Sequence, residues 1–197
     1  MARVGITVTR LVEAAADLAD EVGFENVTVS ALARRFGVKD ASLYSHVRNV
    51  QELRERIAVL ASREMIDRIT SAVAGRAGKD ALVAFAGAYR EYALERPGRY
   101  RATHTQLDPA TVVAEADLYR RTAEVTYGMV RAYGLSEPDL TDAVRLLRST
   151  FHGFCNLEAI GGFGDPRDVQ ASWERALDAL HVALEHWPRT AEDSDDE

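Results

Sequence analysis

The sequence predicts an all-α protein, and three observations carry that reading. No alternating β-branched run exceeds a few residues, so strand signals are nearly absent. Apolar residues recur at helical spacing through most of the chain. All five prolines fall where a helix could begin or end, and Gly23, Gly37, Gly134 and Gly164 follow periodic segments as C-terminal stops do. Nine helices are expected, near 9–22, 29–36, 40–46, 50–74, 79–95, 97–105, 109–133, 138–161 and 166–186. They group into a three-helix helix-turn-helix domain over 1–49, a larger helical domain over 50–187, and a disordered acidic tail over 188–197.

The first helix carries Leu11, Ala14, Ala15 and Leu18 on one stripe, continued by Val22. Phe24, Val27, Leu32, Phe36, Val38, Leu43 and Val47 can close a small core against it. Such a unit buries too little apolar surface to stand alone, so it is expected to lean on the fourth helix through Leu53, Ile57 and Leu60. Asp108-Pro109 and Asp165-Pro166 read as N-cap and N1 pairs that open the seventh and ninth helices.

The second and third helices form the most informative segment. Thr28 can cap the second helix, Ala33 is small enough for a close crossing, and Gly37 supplies a turn that needs positive φ. Val38 plugs the turn into the core, and Leu43 and Val47 anchor the third helix. That leaves Lys39, Asp40, Ser42, Tyr44, Ser45 and His46 available to solvent, a set able to hydrogen-bond bases and phosphates in a major groove.

Charge agrees with this placement. The chain has a net charge of -7, but residues 26–50 hold Arg34, Arg35, Lys39 and Arg48 against Asp40 alone, whereas residues 10–25 hold Arg10 against five acids. Composition excludes other classes. A chain that is 47% hydrophobic and 28% charged can build a packed core. One cysteine, Cys155, excludes a disulfide framework and a cysteine zinc finger. No run of about 18 apolar residues exists and the N-terminus lacks a signal-peptide core, so a soluble cytoplasmic protein with no membrane partner is expected. Phosphate-loop, dinucleotide and nucleophile-elbow motifs are absent, and no histidine pair has the i, i+4 metal spacing. No enzyme activity, cofactor or metal site is expected.

Residues 9–57 resemble the DNA-binding domain of the TetR (tetracycline repressor-like) family of bacterial transcription regulators. The resemblance rests on Ala14, Ala15, Leu18, Gly23, Phe24, Thr28, Val29, Leu32, Ala33, Phe36, Gly37 and Val38, then Ser42-Leu43-Tyr44-Ser45-His46-Val47 followed by Leu53. A second likeness, over 97–163, is to a ligand-binding domain of this family named for a Trp-His-Gly triplet. It is carried by Pro97-Gly98-Arg99-Tyr100, by residues 147–154 and by Leu157-Glu158-Ala159 with Gly161-Gly162-Phe163; here Phe151 stands for the tryptophan. The resemblance implies a homodimer that presents its third helix to each half of a palindromic double-stranded DNA operator, with an effector bound by the C-terminal domain. The DNA-binding set is then Thr28, Lys39, Asp40, Ser42, Tyr44, Ser45, His46 and Arg48. Three departures from the family pattern stand out: Val50 replaces a phosphate-binding lysine, Lys39 replaces a Ser or Thr cap, and Ser45 replaces an aromatic. Arg48 and the N-terminus of the fourth helix are expected to take over the phosphate contact.

Two further sites follow from the helical stripes once a dimer and an effector are implied. Leu157 of the eighth helix with Trp173, Leu177, Leu180 and Leu184 of the ninth is expected to form the dimer interface, unless these stripes serve the monomer core. Phe85, Tyr89, Tyr100, His104, Tyr119, Phe151, Phe154 and Cys155 are expected to line a pocket for a small lipophilic or aromatic effector, unless they fill the core instead. The expected function is a repressor released by that effector. The alternatives are an effector-independent DNA-binding protein and a helical ligand-binding protein without operator release.

Overall fold

The computed structural model describes residues 6–188, so the expected acidic tail over 188–197 lies, apart from Pro188, outside the described residues. Among the described residues there are ten α-helices and no strand. They are α1 (Val8–Val22), α2 (Val29–Phe36), α3 (Asp40–Leu43), α4 (Val50–Val73), α5 (Gly78–Glu95), α6 (Pro97–Ala102), α7 (Pro109–Ala114), α8 (Ala116–Arg131), α9 (Asp139–Ala159) and α10 (Val169–Glu185), with a 3-10 turn at Phe24–Asn26. None is long and apolar enough to cross a membrane.

The chain divides into two compact units. One takes the chain up to Met65 together with Tyr92–Tyr119; the other takes Ile66–Glu91 and the chain from Arg120 onward. The expected boundary at 49/50 falls between α3 and α4, and the first unit runs well past it. Its core explains why. Leu11, Ala15, Leu32, Leu43, Leu53 and Ile57 are fully buried in one cluster, which also takes in Ala102 of α6 and Leu107 beyond it. Without α4 and α6 that cluster would face water on two sides, at a loss of about 1.5–3 kcal/mol for each large side chain uncovered.

The close crossing of α1 and α6 depends on one glycine. A Cβ added to Gly98 would lie 2.0 Å from the Ala19 carbonyl oxygen and 2.5 Å from the Asp20 nitrogen. Pro97 opens α6, and Arg99 follows Gly98 into the interior. The Arg99 backbone N–H donates to Asp20 at 2.9 Å, and its guanidinium meets Asp17 at 2.9 Å and the Asp20 carboxylate. Its Nε lies 3.3 Å from Glu64 Oε2, without a hydrogen-bonding alignment. Burial on its own would lower the Arg99 pKa; Asp17, Asp20 and Glu64 outweigh it and raise it. The Tyr92 hydroxyl lies 2.9 Å from Glu64 and 3.1 Å from the Ala61 carbonyl, tying the end of α5 to α4.

The second unit is centred on aromatic rings. Phe151 of α9 lies 6.1 Å from Phe85, 5.8 Å from Tyr89 and 5.7 Å from Trp173 between ring centroids. Phe154 packs on Trp173 at 4.8 Å and on Phe163 at 4.7 Å. Arg90 of α5 pairs in bidentate fashion with Glu158 of α9 and lies over the Trp173 ring.

The helix expected over 97–105 ends at Ala102, and three other helix boundaries that differ from expectation have a visible local cause. The helix expected over 109–133 breaks at Glu115, whose side chain turns to Arg63 while its carbonyl accepts from Leu118 and Tyr119 and so starts α8. The last helix opens at Val169 rather than at Pro166. Asp168 caps it by accepting from the Ala171 N–H, while Asp165 makes an earlier turn by accepting from the Arg167 N–H. The third helix ends at Leu43, because the Ser45 hydroxyl donates to the Ser42 carbonyl and competes with the helical bond.

Candidate nucleic-acid interface

The helix-turn-helix is assembled from local chemistry. Thr28 caps α2 by accepting from the Ala31 N–H at 3.2 Å. Gly37 adopts φ 64 and ψ 36, and Val38 N–H returns to the Ala33 carbonyl at 3.0 Å, a Schellman closure. A side chain at position 37 would meet no neighbour, so the requirement for glycine there is conformational. Arg35 clamps α2 to α1 through both oxygens of Glu21, at 2.7 and 2.9 Å.

Leu43 and Val47 are buried and fix the third helix, so the residues between and before them face outward. Lys39, Asp40, Ser42 and Ser45 are exposed, Tyr44 is 53% exposed, and His46 is half-buried. The helix proper is a single turn, but residues 44–46 continue it as a tight turn, with His46 and Val47 N–H groups both returning to the Leu43 carbonyl. Lys39, Ser42 and Tyr44 are thus all open to solvent. Thr28 faces the α2 backbone as a cap. Asp40 is partly committed, since one of its oxygens accepts from the Ser30 hydroxyl of α2. Lys39 stands at the N-cap position, where its ammonium has no acceptor to offer the helix N–H groups, and it is exposed.

Arg48 is 85% exposed in the turn after the third helix, and its position depends on Glu52. The Glu52 carboxylate accepts from the Arg48 N–H at 2.6 Å and from its Nε at 3.3 Å, and pairs with Arg56 at 2.8 Å. Asn49 caps α4 by accepting from the Glu52 N–H at 2.8 Å. The Arg48 N–H, foremost, holds the Glu52 carboxyl below the usual carboxylate range; partial burial opposes this and the two guanidiniums reinforce it. Ser30, Asn49 and Glu52 are the site residues that reasoning from the sequence missed. The spacing Asn49-x-x-Glu52 is a capping-box pattern and was the available signal for two of them.

The other expected sites are rearranged. Of the effector set, Phe85, Tyr89, Phe151, Phe154 and Cys155 belong to the second unit, but Phe85 and Tyr89 pack on Phe151, and Phe154 joins them only through Trp173. Burial, with Glu158 adding to it, pushes the Cys155 thiol up to about 12, so it is neutral and inert at ordinary pH. Tyr100, His104 and Tyr119 belong to the first unit. Tyr100 and His104 pack edge to face at 4.8 Å, and Tyr119 is 37% exposed.

Of the dimer set, Trp173, Leu177, Leu180 and Leu184 are at most 9% exposed and are sequestered by their own chain, so they have almost no surface left to offer a partner. This corrects the expectation: the α10 stripe packs inward because its own α9 supplies the facing apolar surface. Leu157 alone of that set is open, at 44%. It belongs to an outer face of α9 made by Leu146, Gly153, Leu157 and Ile160, beside an outer face of α10 made by Ala179 and Val182.

Comparison with known proteins agrees with this architecture. A family model described as "Bacterial regulatory proteins, tetR family" matches residues 11–57, and one described as "Tetracyclin repressor-like, C-terminal domain" matches residues 82–180. The chain is 32% identical over 171 residues to YobS of Bacillus subtilis, an uncharacterized HTH-type transcriptional regulator, covering 86% of this chain and 88% of that one. It is 35% identical over 159 residues to another such regulator, Rv0681 of Mycobacterium tuberculosis, covering 79% and 71%. Among solved structures, a protein of unknown function from Rhodococcus sp. RHA1 superposes with a TM-score of 0.75 at 24% identity, over 92% of this chain and 96% of that one. A TetR variant from Acinetobacter baumannii, solved in complex with minocycline, superposes with a TM-score of 0.68 at 21% identity, over 94% and 100%.

Proposed function

Because this chain belongs to the TetR family of bacterial regulatory proteins, and is therefore a DNA-binding transcriptional regulator rather than an enzyme, we propose that it acts as a cytoplasmic repressor, a homodimer seated on a palindromic operator. The observation that carries this reading is the outward surface of Lys39, Ser42 and Tyr44 held over buried Leu43 and Val47. In a dimer, two such surfaces about 34–36 Å apart meet successive major grooves. Lys39 and Ser42 read base edges, Tyr44 packs and bonds on the backbone, and Arg48 binds phosphate. On an operator found by selection from random duplexes, Tyr44→Ala is expected to weaken binding by about ten- to a hundredfold, the equivalent of ~1–3 kcal/mol. Arg48→Gln is expected to flatten the salt dependence of log affinity by about two, one phosphate per subunit. Fluorescence anisotropy across a salt series checks both, and unchanged affinity in Lys39→Ala, Ser42→Ala and Tyr44→Ala together would sink the assignment.

The dimer is proposed to form through the outer faces of α9 and α10, giving an isologous four-helix interface. Gly153 lies there with open space over it, so two backbones can approach closely. Leu157→Glu combined with Val182→Glu replaces exposed side chains only, and is expected to give folded monomers in sedimentation velocity with operator affinity at least a hundredfold lower. Leu180→Glu, by contrast, places a charge in the interior and is expected to unfold the second unit. A double variant that stays dimeric would refute this interface.

Release by a small lipophilic or aromatic effector is proposed at the Phe85, Tyr89, Phe151 and Phe154 cluster, where entry requires the rings to part. The close packing of those rings favours a second reading, an effector-independent DNA-binding regulator. Screening lipophilic compounds for operator release, with Phe151→Leu as the responsive variant, separates the two.

A further inference from the structure

The DNA-binding unit carries a cleft of its own. It lies between the start of α1, the first half of α4 and α7, with a volume of about 470 Å³, inside the roughly 300–1,000 Å³ common for small-molecule sites. Val8, Val12, Val59 and Leu60 give it apolar walls. Four carboxylates line it as well: Glu13, Glu52, Glu55 and Glu115. The chain's own arginines neutralise two of them, since Glu52 pairs with Arg48 and Arg56, and Glu115 with Arg63.

The other two pair with no cation among the described residues. Glu55 accepts from the Gln51 amide at 3.1 Å and the Thr111 hydroxyl at 3.0 Å, both neutral donors. Glu13 has no side-chain partner among the described residues. An anionic occupant would be repelled by this arrangement. A neutral one would leave the half-buried Glu55 without a counter-charge as it displaced water there. A bare inorganic cation would answer the charge and leave the apolar walls in water. An organic ammonium ion answers both.

We infer that this cleft binds an organic ammonium ion with an apolar body, its chain along Val12 and Leu60 and its charge against Glu13 and Glu55. Arg48 also lines the cleft, so the occupant sits beside the residue assigned to phosphate. The site does not depend on operator binding and is tested without DNA. Isotope-labelled full-length protein is titrated with hexylammonium chloride, and with hexanol and tetramethylammonium as the body without the charge and the charge without the body. Saturable shifts are expected at Val12, Glu13, Glu55 and Val59 with hexylammonium, and binding at least about tenfold weaker for each control. Glu55→Gln and Glu13→Gln are each expected to weaken hexylammonium on the order of tenfold; Glu13 is exposed, so its variant keeps the fold. Hexanol binding as tightly as hexylammonium, wild-type affinity in both variants, or saturable shifts confined to residues 66–91 and 120–188 would each overturn the site.

Discussion

Gly98→Ala is expected to destabilise the DNA-binding unit by about 3 kcal/mol, the upper end of overpacking effects. The added methyl would stand 2.0 Å from a backbone oxygen and 2.1 Å from a backbone carbon of Ala19, so no side-chain rotation can make room. α6 must lift off α1, and Ala102 and Arg99 lift with it. In thermal unfolding the first transition is expected to fall by more than about 10 °C. Gly87→Ala, in the middle of α5 with open space over it, is the control and is expected to gain ~0.5–1 kcal/mol from helix propensity. Equal stabilities of the two variants would refute the close crossing.

Arg99→Ala is expected to cost about 3 kcal/mol by a different route. The arginine is 6% exposed, and its main partner Asp20 has a side chain only 12% exposed, so removing the cation leaves a carboxylate that water reaches poorly with only the residue-99 N–H at 2.9 Å and Arg96 at 3.8 Å to answer it. Asp17 and Glu64 are more open and can rehydrate. Arg99→Lys recovers only part of the loss, because one ammonium cannot span Asp17 and Asp20 as the planar fork does. Adding Asp20→Asn to Arg99→Ala is expected to restore stability by more than 1 kcal/mol, and a double-mutant cycle on urea denaturation measures that coupling. Additive losses would mean that the pair does not act as a unit.

These two residues also mark where sequence reasoning stopped. The likeness of Pro97-Gly98-Arg99-Tyr100 to a ligand-binding domain placed the motif in the C-terminal domain, yet its glycine and arginine serve α1. Nothing local distinguishes a glycine that seats a helix crossing from one that merely weakens a helix, and the partners of Arg99 lie 79 and 82 residues away. The helix-turn-helix was legible because its determinants are local: the Thr28 cap, the left-handed Gly37 and the spacing from Val38 to Leu43 and Val47. The ninth predicted helix was legible as amphipathic, but a stripe of Trp173, Leu177, Leu180 and Leu184 looks the same whether its own chain or a second one covers it. Periodicity likewise buried Phe85 and Phe151 without saying whether the space between them was hollow. The committed oxygen of Asp40 and the anchoring of Arg48 were hidden for a related reason, since Ser30 and Glu52 act through the neighbours they hydrogen-bond.

The discontinuity of the DNA-binding unit sets the order in which it can be finished as the chain is made. α1, α2 and α3 leave the ribosome before α6, so the face of α1 that receives Gly98, and the cluster that receives Ala102 and Leu107, stay uncovered until the segment 92–119 emerges. At ~5–20 residues per second that interval lasts on the order of several seconds, far longer than a helix needs to form. Through that interval the emerging N-terminal segment exposes an apolar helix face to whatever binds nascent chains. A chain truncated at residue 65 never leaves that stage, so the helix-turn-helix is not portable as a short N-terminal fragment, and a fusion that borrows its DNA specificity must carry the chain through residue 119.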